Sequence, residues 1–443
     1  MSSAAAGAPT GALSGVRVLD FTRLGFGSQA TLILGCLGAE VIRVESARHP
    51  DPIRVMPPYV PRPGETSERF GNATMAARES AVSMDRGAIF FKYNTGGKKS
   101  IAVNARDPRG FDILKRLVAV SDVVTESFAL GTMERWGLSY DVMREQRRDV
   151  IYVSMSGYGH EGPDASYITM GPTAQALTGL TYLVGLPGRE PAGWSFSYLD
   201  HVGGYLGAVA VLSALVHRRQ TGEGQYVDVS QLEPATALAG PLLLDKLVND
   251  RSSRRPDFPP GNRRLSPAGG PQGAYRTTGK DQWLVISCTT EPHWRALVAA
   301  IGSPMWAEDA RFATLEDRVA NADELDKHVE TWTLVQDKYD AMHLLQRHGV
   351  PAGAVQDSRD RLENDPQLRA RGHYTSWPHR EQGAETLPLE GVPFRMSATP
   401  PSTGGVIHRG PPCLGEDTEA VLVSLLGMDA DEVRSLAAEG VLA

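Results

Sequence analysis

The sequence predicts an α/β protein: a doubly wound, Rossmann-like large domain and a smaller α+β domain. Three observations lead there. Over the first half of the chain, short β-branched runs alternate with amphipathic segments, the pattern of a parallel sheet covered by helices on both faces. Composition breaks near Arg219–Gly224 and again near Gly302–Leu315, bracketing a smaller region. At 443 residues the chain has room for two or three domains. The expected division is a loose tail at 1–10, a large domain at 11–222, a small domain with its linker at 223–330, and a segment at 331–443 that returns to the large domain.

The opening reads strand, helix, strand. Val16–Phe21 (VRVLDF) is a β-branched run, Ser28–Leu37 is amphipathic, and Val41–Glu45 (VIRVE) is a second strand. The loop between them, Gly25 to Ala30, fits G-x-G-x-x-A, and Glu45 follows Gly25 by 20 positions, which is the spacing of a dinucleotide fingerprint. Thr22, Arg23 and Leu24 count against it, because the first glycine of that fingerprint opens the turn directly off the strand. Arg48–Met84 has no period and reads as a long surface excursion, the kind of loop that serves as a lid or binding segment.

Regular structure resumes with a strand at Lys98–Val103. A helix over Asp107–Val120 follows, with Pro108 in its first turn and Phe111, Leu114, Leu117 and Val118 on one face. Strands at Val123–Glu126 and Val150–Met155 flank helical stretches at Met133–Trp136 and Ser139–Gln146. Tyr198–Ser230 then combines a glycine- and alanine-rich helix, a basic end at His217, Arg218 and Arg219, a glycine turn and a strand. Gln231–Val248 reads as one further helix, and Arg251–Gly273 as a linker or closing loop in which Ala268–Pro271 is expected to be mobile. A hairpin over Ala274–Ser287, helices at Pro292–Ile301 and Ala320–His348, a strand at Val350–Val355 and helices at Thr418–Leu426 and Asp429–Glu439 complete the chain.

Composition narrows the function. A net charge of -7 argues against nucleic acid or an anionic membrane as a partner. The apolar window Gly203–Val216 is shorter than the roughly 20 residues a bilayer span needs, and 1–10 lacks the basic and apolar regions of a secretory signal. Cys36, Cys288 and Cys413 form neither a disulfide framework nor a zinc motif, so a cytoplasmic location is expected and no metal. Ser154–Gly157 (SMSG) lacks the first glycine of a nucleophile elbow. Lys98, Lys99, Arg106 and Arg135 lie at strand ends or turns, where open α/β sheets bind ligands.

Asp200 has two readings from local chemistry. Placed at the entry to a helix, it is a natural N-cap. The helix start that it would cap also keeps a carboxylate ionised, as a nucleophile requires.

Several blocks resemble the class III coenzyme A transferases, the family of formyl-CoA transferase and carnitine CoA-transferase (CaiB/BaiF): LSGVRVLDFTR, LGAEVIRVE, ESFALGTMERWGLSY, VSMSGYGHEGP, LDHVGGYLGAVAVLSAL, RRQTGEGQYVDVSQLE, RFATLEDRVAN, HGVPAGAV and LGEDTEAVL. They run in order along nearly the whole chain. The resemblance implies transfer of coenzyme A from an acyl-CoA to a free carboxylic acid, with Asp200 as covalent nucleophile and no cofactor beyond the CoA thioester substrate. It implies CoA contacts at Arg106, Phe128, Arg135, Gly25 and Phe26, and a glycine loop at Gly269-Gly270. It also implies an interlocked homodimer, or a heteromer with a paralogue. Ser127 stands where the family often has Asn, and Gly25-Phe26-Gly27 departs from its usual first loop. A related branch racemises 2-methylacyl-CoA with a His thirty positions before the shared Asp. Here that position is Met170, which argues against racemisation. A non-catalytic CoA-binding subunit is a third reading.

Overall fold

Arg17–Phe21 (β1) is buried at four of its five positions, as a strand covered on both faces must be. The computed structural model describes residues 11–60, 85–193, 198–255, 258–263, 267–381 and 387–443. The expected tail and the larger part of the 48–84 excursion lie outside the described residues. β1 is central in a six-stranded parallel sheet with β2 (Glu40–Glu45), β3 (Lys99–Ala102), β4 (Val123–Glu126), β5 (Ile151–Ser156) and β6 (Tyr226–Ser230), in the order β3-β2-β1-β4-β5-β6. The connections run outward in both directions from the β1/β4 pair, so the switch point of the sheet lies there.

The helices of this sheet are α1 (Phe26–Cys36), α2 (Ala88–Tyr93), α3 (Pro108–Ala119), α4 (Thr132–Arg135), α5 (Tyr140–Gln146), α6 (Gly171–Leu177), α7 (Tyr198–Thr221) and α8 (Leu232–Leu238). One face carries α1 and α7, with Ile33, Leu34, Ala208 and Val211 against Val18, Ile151 and Val153. The other carries α3, α5 and the helices Thr418–Leu426 and Ala430–Ala438, whose Leu422, Val433 and Leu436 share a core with Leu114, Leu117 and Val124. The C-terminal segment is tied to the sheet edge, since Asp417 accepts from the Ser100 N–H at 2.9 Å.

Two compact units emerge. The larger comprises residues 1–180, 194–240 and 367–443; the smaller comprises 181–193 and 241–366. β6 and α8 therefore belong to the larger unit, on the far side of the 222/223 boundary drawn from composition, because β6 pairs in parallel with β5. The smaller unit has an antiparallel sheet, β7 (Gln272–Arg276), β8 (Trp283–Ser287) and β9 (Ala352–Ala354), in that order. Gly279 stands between β7 and β8 with φ +105°, a turn position that suits glycine. The stretch read as one helix over Gln231–Val248 is two: α8 ends, and a second runs from Gly240 to Asn249.

α7 differs from expectation in length. At 24 residues it is long and apolar enough, by composition, to cross a membrane. Its Leu199, Gly203, Gly204, Gly207, Ala208, Val211 and Ala214 are buried within the larger unit, so it serves as a core helix.

Around β1 and β2, and reached by Lys98 from the amino end of β3, lies a buried ionic network. The Arg43, Arg54 and Lys98 side chains are essentially inaccessible to solvent. Arg54 binds both Glu45 oxygens at 2.9 and 2.6 Å and Asp85 at 2.7 Å, while Arg43 pairs with Asp51. Lys98 Nζ donates to Ser28 O, Thr31 Oγ1, Tyr93 O and Asn94 Oδ1 at 2.8 to 3.2 Å. Burial pulls the Lys98 amine down to about 8. Glu45, the residue that would bind a ribose in a dinucleotide site, is instead an ion-pair partner at the centre of this network, which removes the physical basis of that reading.

Burial alone would raise the Glu45 carboxyl, but the guanidiniums of Arg54 and Arg43 overcome it and hold it at about 2. An unfolded glutamate takes a proton near pH 4, at roughly 4.3. The folded state therefore binds this proton later, and the contribution is complete above about pH 5 and decays as pH falls toward 2. In urea titrations, wild type should lose stability over that window. Glu45→Gln should lose about 3 kcal/mol less of it, an order-of-magnitude figure from the shift.

Candidate active site

The loop after β1 and the start of α7 are brought together by glycines. α1 and α7 cross where Gly203, Gly204 and Gly207 face α1. A Cβ on Gly203 would lie 2.6 Å from the Phe26 ring, and one on Gly204 2.6 Å from the Gln29 side chain. On Gly207 it would reach Met155 Sδ at 2.9 Å. Any larger residue would push the helices apart.

Asp200 comes out of this crossing. It is the third residue of α7 rather than its N-cap, because the helix already includes Tyr198 and Leu199. A carboxylate in the first turn still lies in the favourable field of the helix start. Its Oδ1 accepts from Gln231 Nε2 at 2.7 Å, and a Cβ on Gly25 would collide with its Oδ2. Gly25 is the N-cap of α1, and no side chain caps that helix. The Asp200 carboxylate thus sits at the starts of two helices, α1 and its own, where main-chain N–H groups without helical partners concentrate.

Of the other residues singled out from the sequence, Gly25 and Phe26 meet Asp200 or its helix. The Phe26 ring is 8% exposed and lies against Gly203, so it is committed to helix packing. Phe128 follows β4, its N–H donating to Glu126 Oε2 at 2.6 Å and its ring meeting Trp136 edge-on at 5.0 Å. Arg135, the last residue of α4, is exposed and donates to Thr132 Oγ1 at 2.8 Å. Ser127 joins these groups to the first loop, since the Arg23 N–H donates to its Oγ at 2.8 Å. Arg106 is exposed beyond β3, at the edge of the sheet. Gly270 of the proposed glycine loop is in the smaller unit. Its N–H donates to Cys288 O at 2.9 Å and its carbonyl accepts from Arg318 Nε at 3.1 Å, so this stretch is hydrogen-bonded in place where mobility was expected.

Three residues of the site were not singled out from the sequence. Gln231, at the start of α8, is one. The others are Tyr93 and His201, whose OH and Nε2 lie 3.4 Å apart. Burial, then the Asp200 charge, raises the Tyr93 phenol; burial and the nearby Lys92 lower His201 to about 4, which keeps the ring neutral at pH 7. The only advance signal for His201 was its adjacency to Asp200. Among the described residues, Asp85, Glu381 and Cys413 bring potential metal-ligand atoms within 4.8 Å of one another, but Asp85 Oδ1 already accepts from Arg54 and from the Leu414 N–H.

A carboxylate beside the switch point of a doubly wound sheet, with aromatic and cationic groups near other strand ends, suits an α/β enzyme. The crystal structure of a CaiB/BaiF family protein from Brucella suis matches with a TM-score of 0.79 and 29% identity, over 94% of this chain and 100% of that one. Rv3272 from Mycobacterium tuberculosis matches at 0.72 and 28%, over 93% and 99%. The profile of CoA-transferase family III matches residues 13–418, and the chain belongs to that family. It is a CoA-transferase, with CoA thioesters and carboxylic acids as its substrates.

The chain is 31% identical over 440 residues to the alpha subunit of the succinyl-CoA–L-malate CoA-transferase of Chloroflexus aurantiacus, covering 96% of this chain and 91% of that one. It is 29% identical over 432 residues to the beta subunit, covering 97% and 98%. To the probable CoA-transferase Rv1866 of Mycobacterium tuberculosis it is 32% identical over 439 residues, 97% of this chain, which spans half the length of that protein.

Because Gly25 leaves no room for a side chain beside Asp200, Gly25→Ala should displace the carboxylate or the start of α1. For the reacting group that Asp200 is proposed below to be, a displacement of about 1 Å costs on the order of 100-fold. Steady-state CoA transfer should fall by that amount, while the melting temperature of the variant moves by only a few degrees.

Proposed function

We propose that Asp200 is the covalent nucleophile of an acyl-CoA:carboxylate CoA-transferase. Its carboxylate attacks the thioester carbonyl, releasing CoA thiolate and leaving a mixed anhydride. The thiolate then attacks the aspartyl carbon, giving an aspartyl-CoA thioester and the donor's free acid. The acceptor acid collects the CoA by the reverse sequence. Division into covalent steps preserves the thioester's energy for the product. The observation that carries the reading is the position of the Asp200 carboxylate, against Gly25 at the start of α1 and in the first turn of α7. Two helix starts favour the anionic form that must attack.

Phe128, Arg135 and Arg106 are the proposed CoA nucleotide contacts, the cations meeting phosphate and the ring facing the base. The 31% identity to a succinyl-CoA–L-malate enzyme subunit supports a small dicarboxylate as donor acid. Against racemisation stands Met170, which is 57% exposed and carries no proton.

A dimer in which the chains interlock is the proposed assembly. Exposed apolar residues support it: Leu206, Val209 and Val216 on α7, and Leu243, Leu244, Leu247 and Val248 on the helix Gly240–Asn249. That related enzymes are named as alpha and beta subunits makes a heteromer with a paralogue the competing assembly. Analytical ultracentrifugation of the purified chain should give twice the mass of one chain; a monomer, inactive until a paralogue is added, would favour the heteromer.

The nucleophile is tested with succinyl-CoA and a panel of L-malate, glutarate and oxalate, with mass detection of new thioesters. Asp200→Ala should lose at least about 10³-fold in transfer, the scale on which removal of a covalent nucleophile acts. Hydroxylamine added after succinyl-CoA should modify Asp200 in the wild type. Transfer by Asp200→Ala at the wild-type rate would exclude the mechanism.

A further inference from the structure

We infer that Gln231 is an oxyanion donor to the aspartyl carbonyl during the two attacks on that carbon, an inference that rests on Asp200 being the nucleophile. Gln231 is fixed at both ends. Its main-chain N–H donates to Ser156 O at 2.9 Å and to Gly157 O at 3.1 Å, which anchors it to the end of β5. As the N-cap of α8 it occupies a position where a short polar side chain would turn back onto its own helix. Its side chain makes no such cap. It is 5% exposed and reaches across to Asp200 Oδ1 instead, at 2.7 Å. A carboxylate only accepts, so the amide must present its nitrogen to it.

The consequence follows from the covalent chemistry. With Oδ1 held by the amide, Oδ2 forms the bond to the acyl carbon as the C–S bond breaks and thiolate leaves. Thiolate sulfur next bonds to Asp200 Cγ, and the electron pair of the Cγ–Oδ1 double bond moves onto Oδ1. Collapse expels the donor's carboxylate with Oδ2, leaving Cγ bonded to sulfur. When an acceptor carboxylate oxygen attacks Cγ, the charge returns to Oδ1 and thiolate departs. Twice, then, negative charge gathers on the oxygen that already accepts from Gln231, and no proton changes hands. A neutral donor suits this task. A lysine or arginine there would stabilise the resting carboxylate strongly and weaken it as a nucleophile, whereas an amide gains most as charge concentrates on one oxygen.

The test uses the full-length protein and exchange between succinyl-CoA and carbon-13 succinate, which requires no second acid. Gln231→Met keeps the chain length and removes the donor. Loss of one such donor lowers kcat by about 10²–10³-fold, and the KM for succinyl-CoA should stay within about threefold, with the melting temperature unchanged. Gln231→Glu should be equally slow at pH 8 and recover relative to wild type as pH falls toward 5, because a protonated carboxyl donates again. Wild-type kcat in Gln231→Met would overturn the inference. So would a fall in kcat together with a raised KM and a lowered melting temperature, with no recovery of the Glu variant in acid, which is the signature of a structural role. Asp200→Ala in the same assay separates the two questions: exchange by that variant at the wild-type rate sinks the nucleophile, whereas an inactive Asp200→Ala beside a fully active Gln231→Met sinks only the role of Gln231.

Discussion

The close crossing of α1 and α7 is the constraint on which the candidate site depends. Gly203, Gly204 and Gly207 remove side chains from one surface, so that the Phe26 ring, the Gln29 stem and Met155 fill the space. Helix axes normally stand 8–10 Å apart, according to the side chains between them; glycine allows the near end of that range. The entropic cost of three glycines in a helix interior, near 1 kcal/mol each, is offset by burial of the facing residues. What the crossing achieves is local: it delivers the first turn of α7 to the loop after β1, so that an acid on one helix stands at the N-terminus of another.

The loop itself is held from below. Thr22 N–H and Oγ1 both bond Asp20 Oδ1, at 2.9 and 2.6 Å, and the Leu24 N–H reaches Asp51 at 3.1 Å. Asp20 and Asp51 are members of the buried ionic network with Lys98 and Arg43. Unpaired, any of these charges would be costly in a dry interior; paired and hydrogen-bonded, they fix one geometry for the turn. The network thus supports the position of Gly25 and, through it, the space that Asp200 occupies. It also explains why a sequence fitting a dinucleotide fingerprint does not make such a site here: its acidic member is bound to Arg54 within the protein.

Much of the fold was legible in the sequence because a parallel sheet covered on both faces demands continuous β-branched runs, and β1, β2, β4 and β5 have them. The helix Pro108–Ala119 was equally clear, with Asp107 as a true N-cap accepting from the Arg109 N–H. Misreadings arose where local signals run across the boundary of an element or a unit. Gln231–Val248 has few charges and reads as one helix, yet Gly240-Pro241 supplies the break that the structure shows after Ala239 between two helices. Asp200 looked like a cap because the glycine-rich run begins after it, yet the helix starts at Tyr198. The strand β6 lies beyond a glycine turn that resembles a domain boundary, but parallel pairing with β5 keeps it in the larger unit.

Sequence by itself determined the α/β class, most strands, the family and the acid at the head of the glycine-rich helix, because each is written in short contiguous patterns of hydrophobicity or identity. Only the tertiary structure decided what surrounds that acid. Gly25 is 175 positions away from Asp200 and Gln231 is 31 away, and no periodicity relates residues on a loop, a helix start and a strand end. Their meeting is a product of strand order and helix crossing, so the carboxylate was visible as a residue while its donor and its setting between two helix N-termini were not.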